Sequence, residues 1–131
     1  MEKSLFTQMT PDDRAVTLSG NFTLDGSGVI TASTPAGLSG CVVTAVAGKT
    51  ARYLVTPYKN LKTYKAAVAT VQGPDDVASG GTTTGESGAP MTRATSGASF
   101  IIQLRRASDL ADANPTNGTK VAWIAQFSEA S

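Results

Sequence analysis

The chain has 131 residues, of which 40% are hydrophobic and 16% are charged, and its formal net charge is +1. This balance gives no electrostatic basis for binding nucleic acid or an anionic membrane surface, and no apolar run approaches the ~20 residues of a membrane span. Histidine is absent, which excludes Ser-His-Asp and Cys-His catalysis, so we expect a non-enzymatic chain without a cofactor or a bound metal.

Residues 1–14 show little hydrophobic periodicity and are predicted to form an extended N-terminal arm, followed by a single β domain over residues 15–131. We expect the arm to become ordered mainly through contact with another molecule, and Leu5 and Phe6 are its candidate interface residues. The alternative is a frayed tail that packs loosely on the chain's own sheet. The arm lacks the apolar core of a signal peptide, which predicts synthesis in a cytoplasm.

Short apolar runs separated by Gly- and Pro-rich turns predict strands through the first half of the chain. These runs are residues 15–18, 21–24, 29–32, 40–47 and 51–56. Asp25-Gly26-Ser27-Gly28 connects the second and third runs, and this composition predicts a hairpin turn. Cys41 has no partner for an intrachain disulfide, so we expect a small buried hydrophobic residue rather than a nucleophile.

Residues 63–71 combine β-branched residues with alanines, so the run is compatible with strand or helix. Strand is favoured because Gln72-Gly73-Pro74 ends the run sharply. The following stretch, residues 73–98, is rich in Gly, Ser and Thr and is predicted to be a long exposed loop that contacts other subunits or is mobile. Residues 80–87 resemble a phosphate-binding loop, but Glu86 stands where that motif needs lysine.

Two runs near the C-terminus show the strict alternation of β-strands. In the first, Phe100, Ile102 and Leu104 share one face, with Gln103 and Arg105 on the other. In the second, the residues that share a face are Val121, Trp123, Ala125 and Phe127. The predicted core lies where these two faces meet. Asn117-Gly118 is predicted to be a tight hairpin turn that leads into the second run.

Charged residues follow the strand at residues 100–104. Arg105 and Arg106 are candidate interface residues, and the alternative is that they mark an exposed strand end. Asp109 and Asp112 lack the spacing of a calcium loop and are expected to be solvated turn carboxylates. With about eight short strands and few helix signals, the sequence predicts an all-β fold, either a small β-sandwich or a barrel.

Several segments together resemble small virion proteins of tailed bacteriophages, especially those that decorate the capsid exterior, called cement or head decoration proteins. They are ARYLVTPYKNL (51–61), FIIQL (100–104), ASDLAD (107–112) and TKVAWIAQFS (119–128), and the resemblance covers residues 15–128. It implies a β-rich homotrimer that binds the major capsid protein, without catalysis and without direct contact to nucleic acid or membrane. It also implies a location on the capsid exterior after assembly in the host cytoplasm.

Three other functions are compatible with the residues. A tail-associated or other minor virion protein would have the same β-rich composition. A carbohydrate-binding adhesion module would bind sugars saturably as an isolated domain. A small hydrolase would need carboxylates that converge in a concave pocket, an arrangement that sequence order does not reveal.

Overall fold

A computed structural model of the chain describes residues 15–34, 41–57, 61–73, 90–106, 109–115 and 117–129. The strands are β1 (Ala15–Leu24), β2 (Ile30–Thr34), β3 (Cys41–Ala45), β4 (Arg52–Pro57), β5 (Leu61–Gln72), β6 (Met91–Ala94), β7 (Phe100–Gln103) and β8 (Thr119–Glu129). None of the described residues belongs to a helix, and therefore none forms a helix able to cross a membrane. The arm at residues 1–14, with Leu5 and Phe6, lies outside the described residues, as do residues 74–89.

The strands form two four-stranded antiparallel sheets that do not close into a barrel. The first sheet has the order β2-β1-β8-β5 and the second has the order β3-β4-β7-β6. The all-β prediction is therefore confirmed, and of the two architectures left open the fold is a sandwich. The expectation that all strands are short is wrong for three of them, since β1, β5 and β8 have 10, 12 and 11 residues.

The core lies between the two sheets. Its fully buried side chains include Phe22, Leu24, Tyr53, Val55, Phe100, Ile102, Leu104, Val121 and Phe127. The predicted inner faces of the two C-terminal runs are confirmed, because every residue assigned to them is buried. At the centre, the ring of Phe100 lies 5.2 Å from that of Tyr64 and 5.7 Å from that of Trp123, measured between centroids. Such offset aromatic contacts add stability beyond the area that they bury.

Local sequence signals correctly predicted the β1–β2 hairpin and the burial of Cys41. β1 and β2 pair antiparallel across the turn at residues 25–28, where the Asp25 carboxylate accepts hydrogen bonds from the N–H groups of Ser27 and Val29. Gly28 has φ of +82°, a conformation that costs glycine little. Cys41 is 5% exposed.

Two predictions about strands are wrong, one in the N-terminal half of the chain and one in the predicted loop. Residues 15–18 and 21–24 do not form separate strands, because Ser19 and Gly20 also pair with β8 and make β1 continuous. The predicted loop at residues 73–98 contains β6, which pairs with β7 as the edge of the second sheet. Thr92 in β6 also donates a hydrogen bond of 3.3 Å to the carbonyl oxygen of Ala67 in β5, so β6 is held both by the next strand along the chain and by a contact to the other sheet.

The turn at Asn117-Gly118 exists, but it does not form the predicted hairpin. Gly118 has φ of +93°, and its N–H donates a hydrogen bond of 2.8 Å to the carbonyl oxygen of Leu24. β7 belongs to the second sheet, whereas β8 lies between β1 and β5 in the first. The connection therefore crosses from one sheet to the other.

Candidate functional site

The solvent-facing side of the first sheet carries exposed aliphatic side chains at its centre. We call the outward side chains of β1, β8 and β5 the outer face. Val68 of β5 and Ile124 of β8 are direct partners in register, and they are 62% and 52% exposed. Ser19 of β1 pairs with Ile124 on the opposite side. The two side chains form a small exposed apolar patch, which is a candidate for contact with another protein.

Small uncharged residues surround this aliphatic centre. Alanine, threonine, serine and glutamine occupy the exposed positions around it, at Thr17, Ser19, Ala66, Thr70, Ala122 and Gln126. A shallow groove of about 200 Å³ runs along the face, with Val68, Ile124 and Gln126 among its lining residues. The face is therefore broad and of low relief, and its groove falls short of the ~300 Å³ at which small-molecule pockets begin.

Lysines predominate among the charged residues of this sheet. Lys62, Lys65 and Lys120 are exposed, and the acidic residue in the sequence of these strands is Glu129, at the end of β8. Lys62 and Lys65 are also the extra residues at the two irregularities in the β5–β8 register. Bulges and lysines on an edge strand disfavour pairing with a further strand, so we expect the face rather than the β5 edge to bind a partner.

A second concave feature lies at one end of the sandwich. This cleft of about 470 Å³ is lined by the β1–β2 turn, the β3–β4 connection and Asn114. Lys49, Thr50 and Asn114 are exposed at its walls, and Ala51 beneath them has φ of +57°. A volume of this size is within the usual range of small-molecule sites, about 300–1,000 Å³.

Tyr53 fixes one wall of the cleft. Its hydroxyl donates a hydrogen bond of 2.7 Å to the carbonyl oxygen of Gly28. Burial, with a smaller contribution from the Asp25 carboxylate, raises the pKa of Tyr53 to about 12. The hydroxyl therefore stays protonated as a donor throughout the physiological pH range.

A polar network that the sequence did not indicate crosses the second sheet. The Asp112 carboxylate accepts hydrogen bonds from Gln103 Nε2 at 2.5 Å and from Arg52 Nε at 3.2 Å. Arg93 in turn donates to Gln103 Oε1 at 3.2 Å. Gln103 lies on the predicted outward side of its strand, yet it is only 6% exposed, because the connection that carries Asp112 covers it.

The candidate arginines lie in that same connection. Arg105 forms an isolated backbone bridge with Asp112, and the guanidinium of Arg106 lies 3.6 Å from the Asp109 carboxylate. Both contacts are local to residues 105–112. A role for Arg105 and Arg106 at an interface stays a prediction, and the same holds for Leu5 and Phe6, which lie outside the described residues.

The described carboxylates do not form a metal-binding group. No cluster of three or more His, Cys, Asp or Glu residues occurs within the described part of the chain. Asp109 accepts a hydrogen bond from the N–H of Ala111 and Asp112 belongs to the network above. Both are engaged in turn and loop contacts.

Val68 and Ile124, the central residues of the outer face, were not among the candidates from the sequence. The sequence contained one signal, for Ile124. This residue alternates with the predicted inward residues Trp123 and Ala125, so its side chain is expected to face solvent. An aliphatic residue at an outward strand position is a weak sign of a binding surface.

Comparison with known protein families, curated proteins and solved structures finds no match for this chain.

Proposed function

We propose that this chain is a non-catalytic structural protein of a tailed bacteriophage that decorates and stabilises the capsid by binding the major capsid protein. The observation that carries the proposal is the outer face, where Val68 and Ile124 are 62% and 52% exposed on a sheet of low relief. A surface of this shape fits another protein surface better than it encloses a small molecule. Repetition over a symmetric shell would multiply a modest contact.

The proposal includes a homotrimer on the capsid exterior. A trimer would place three copies of each contact at a symmetry position of the shell, and three linked contacts bind far more tightly than one. Leu5 and Phe6 of the arm, together with Arg105 and Arg106, are the further contact residues that the proposal assigns. We expect a chain without residues 1–13 to fold normally but to lose its association with the capsid.

The direct test is binding to shells. The full chain is co-expressed with the major capsid protein of the bacteriophage whose genome encodes it, and purified shells are imaged by cryo-electron microscopy. The expected result is additional density on the exterior of the shell, at a copy number fixed by its symmetry. Shells that never carry the chain, although it is present and folded in the same lysate, would refute the proposal.

The cleft favours a second candidate function, a carbohydrate-binding adhesion module. Its 470 Å³ can hold a monosaccharide-sized ligand, and its lining includes Ser27, Lys49 and Asn114, whose side chains can hydrogen-bond sugar hydroxyls. Titration calorimetry of the full chain against a panel of monosaccharides tests this alternative. Saturable binding that Asn114→Ala abolishes would support it, and heats no larger than dilution for the whole panel would exclude it for these sugars.

A further inference from the structure

We propose that the outer face binds a protein surface with an aliphatic centre flanked by carboxylates, an inference that rests on the proposed function and specifies the chemistry of the capsid partner. Val68 and Ile124 contact the aliphatic centre of the partner, and Lys65 and Lys120 pair with its carboxylates. Three properties of the face support this inference: the positions of its lysines, the occupants that these lysines disfavour, and the area of the face.

The charges lie at opposite ends of the aliphatic centre. Val68 and Ile124 are register partners in antiparallel strands, so the direction from Val68 to Lys65 is opposite to that from Ile124 to Lys120. Lys65 is three residues from Val68 and Lys120 is four residues from Ile124. Because Lys65 is the extra residue of a bulge, its separation from Val68 is about 8 Å, and at ~3.3 Å per residue that of Lys120 from Ile124 is about 13 Å. A complementary surface therefore carries its acidic side chains about 20 Å apart, on either side of an apolar patch.

A second copy of the same face is a poor occupant. Face-to-face packing of two copies would bring lysines of one copy towards lysines of the other, since Lys65 and Lys120 flank the aliphatic centre at both ends. Like charges at an interface cost binding energy. The subunits of a cyclic trimer contact one another through two different surfaces, so the trimer of the proposed function needs no face-to-face packing of this kind.

An anionic lipid surface is also a poorer occupant than a protein. Proteins that insert into the headgroup region present bulky side chains such as Trp, Phe and Leu. Apart from its lysines, the exposed residues of the outer face are Val, Ile, Ala, Thr, Ser and Gln, and the aromatic rings of β5 and β8 that the structure describes face the core. Short aliphatic side chains on a flat sheet suit close packing against another folded surface.

The size of the face limits the strength of a single contact. Three strands ~4.8 Å apart, over about seven residues each, span roughly 300 Å². A standard stable interface buries about 800 Å² on each partner. The outer face therefore forms the centre of a larger contact, and its lysines should make binding sensitive to salt.

The experiment measures binding of purified full-length variants to empty shells of the bacteriophage whose genome encodes the chain, by co-sedimentation. We expect Val68→Asp to weaken binding about tenfold or more, because it places a charge in the apolar centre. The double variant Lys65→Glu and Lys120→Glu should also bind about tenfold more weakly, and the corresponding Lys→Arg pair should bind like the wild type. Val42→Asp is the matched control, since Val42 is an exposed strand valine of the second sheet, 36% accessible.

The outcomes separate the two proposals. If the wild-type chain fails to bind shells, both the proposed function and this inference are wrong. If the wild type binds shells and the outer-face variants bind as well as the wild type, or at least as well as Val42→Asp, only the inference is wrong. The inference is also wrong if the wild type binds vesicles containing phosphatidylglycerol and loses this binding in the same variants.

A conservative variant guards against a folding defect. Thermal unfolding of each variant is recorded first, and Val68→Thr replaces Val68→Asp if the aspartate variant does not fold. Threonine keeps the β-branched shape but removes apolar surface, so we expect binding to weaken by about threefold. A Val68→Thr chain that folds and binds shells like the wild type would overturn the inference.

Discussion

The hydroxyl of Tyr53 donates a hydrogen bond of 2.7 Å to the carbonyl oxygen of Gly28. Tyr53 belongs to β4 of the second sheet, whereas Gly28 lies in the turn that connects two strands of the first sheet. The ring of Tyr53 also packs against that of Phe22 of β1, with centroids 5.1 Å apart. One side chain therefore ties the two sheets together at the end of the sandwich that holds the cleft.

Tyr53→Phe should lower the free energy of unfolding by about 1 kcal/mol, because it leaves the Gly28 carbonyl without its donor and keeps the aromatic ring. Urea denaturation measures the change. Tyr64→Phe is the matched control, since the ring of Tyr64 packs in the same core and it has no side-chain hydrogen bond to the described residues. Equal losses in the two variants would show that the bond to Gly28 contributes nothing specific.

Gly28→Ala should destabilise the fold more than Gly48→Ala does. Both glycines have positive φ, +82° and +75°, but a Cβ at Gly28 would lie 2.5 Å from Asn114 Oδ1 and 3.0 Å from Tyr53 Oη, whereas a Cβ at Gly48 meets nothing within 4 Å. Gly48→Ala thus measures the backbone cost alone, about 1–2 kcal/mol. Gly28→Ala should add to that cost by displacing Tyr53, as thermal unfolding can detect. Equal melting temperatures for the two variants would refute this steric account.

Adding Asn114→Ala to Gly28→Ala separates the two contacts. Asn114 is exposed, so its amide can turn away at little cost, whereas the Tyr53 hydroxyl is held by its bond to Gly28. We expect Asn114→Ala to restore little of the lost stability. A full recovery in the double variant would assign the whole steric cost to Asn114.

The sequence was sufficient wherever the determining interactions are local. The alternation of Phe100, Ile102 and Leu104 identified an inner face because neighbouring strand residues necessarily point in opposite directions. The turn at residues 25–28 was recognised from its glycines, and Gly28 indeed has φ of +82°. Each of these patterns is determined by residues that lie within a few positions of one another in the sequence.

The other features of the fold depended on contacts between segments, which no single run of residues reveals. β6 has no alternation of its own, and it becomes a strand by pairing with β7 and contacting Ala67. The sequence could not show that consecutive strands β7 and β8 enter different sheets. It also could not show whether another element covers Val68, and therefore whether its apolar side chain is core or binding surface.

Asp112→Ala should destabilise the chain by about 1–3 kcal/mol. The substitution removes the acceptor of Gln103 Nε2, and Gln103 is only 6% exposed, so its amide loses a partner that water cannot easily replace. The ion pair with Arg52 adds little, since the two side chains are 26% and 27% accessible and partly screened.

Asp112→Asn provides the matched comparison for that prediction. Asparagine keeps an acceptor oxygen for Gln103 but removes the charge that faces Arg52. We expect it to cost less than half of the alanine effect in urea denaturation. If the asparagine variant is as unstable as the alanine variant, the charge rather than the hydrogen bond to Gln103 determines the stability of the network.

The buried thiol of Cys41 should make the fold sensitive to alkaline pH. Burial raises the pKa of Cys41 to about 11, whereas an exposed thiol has a pKa of about 8.5. The folded chain therefore holds the thiol proton more tightly than the unfolded chain does. This contribution to stability is complete below about pH 8.5 and is lost as pH rises through about 11, which amounts to about 3 kcal/mol.

Other groups also titrate in this pH range, such as Tyr53, whose pKa is raised to about 12. Comparison of the wild type with Cys41→Ala therefore isolates the contribution of the thiol. We expect the wild type to lose more stability than Cys41→Ala between about pH 8 and pH 11, as measured by urea denaturation at each pH. The alanine variant is itself less stable at pH 7, because it leaves a small cavity beside the core, so the comparison uses the change with pH rather than the absolute values. Parallel pH profiles for the two chains would contradict the elevated pKa of Cys41. A thiol that reacts with a maleimide as fast in the folded chain as in urea at pH 8 would contradict it independently, because only the exposed thiolate reacts.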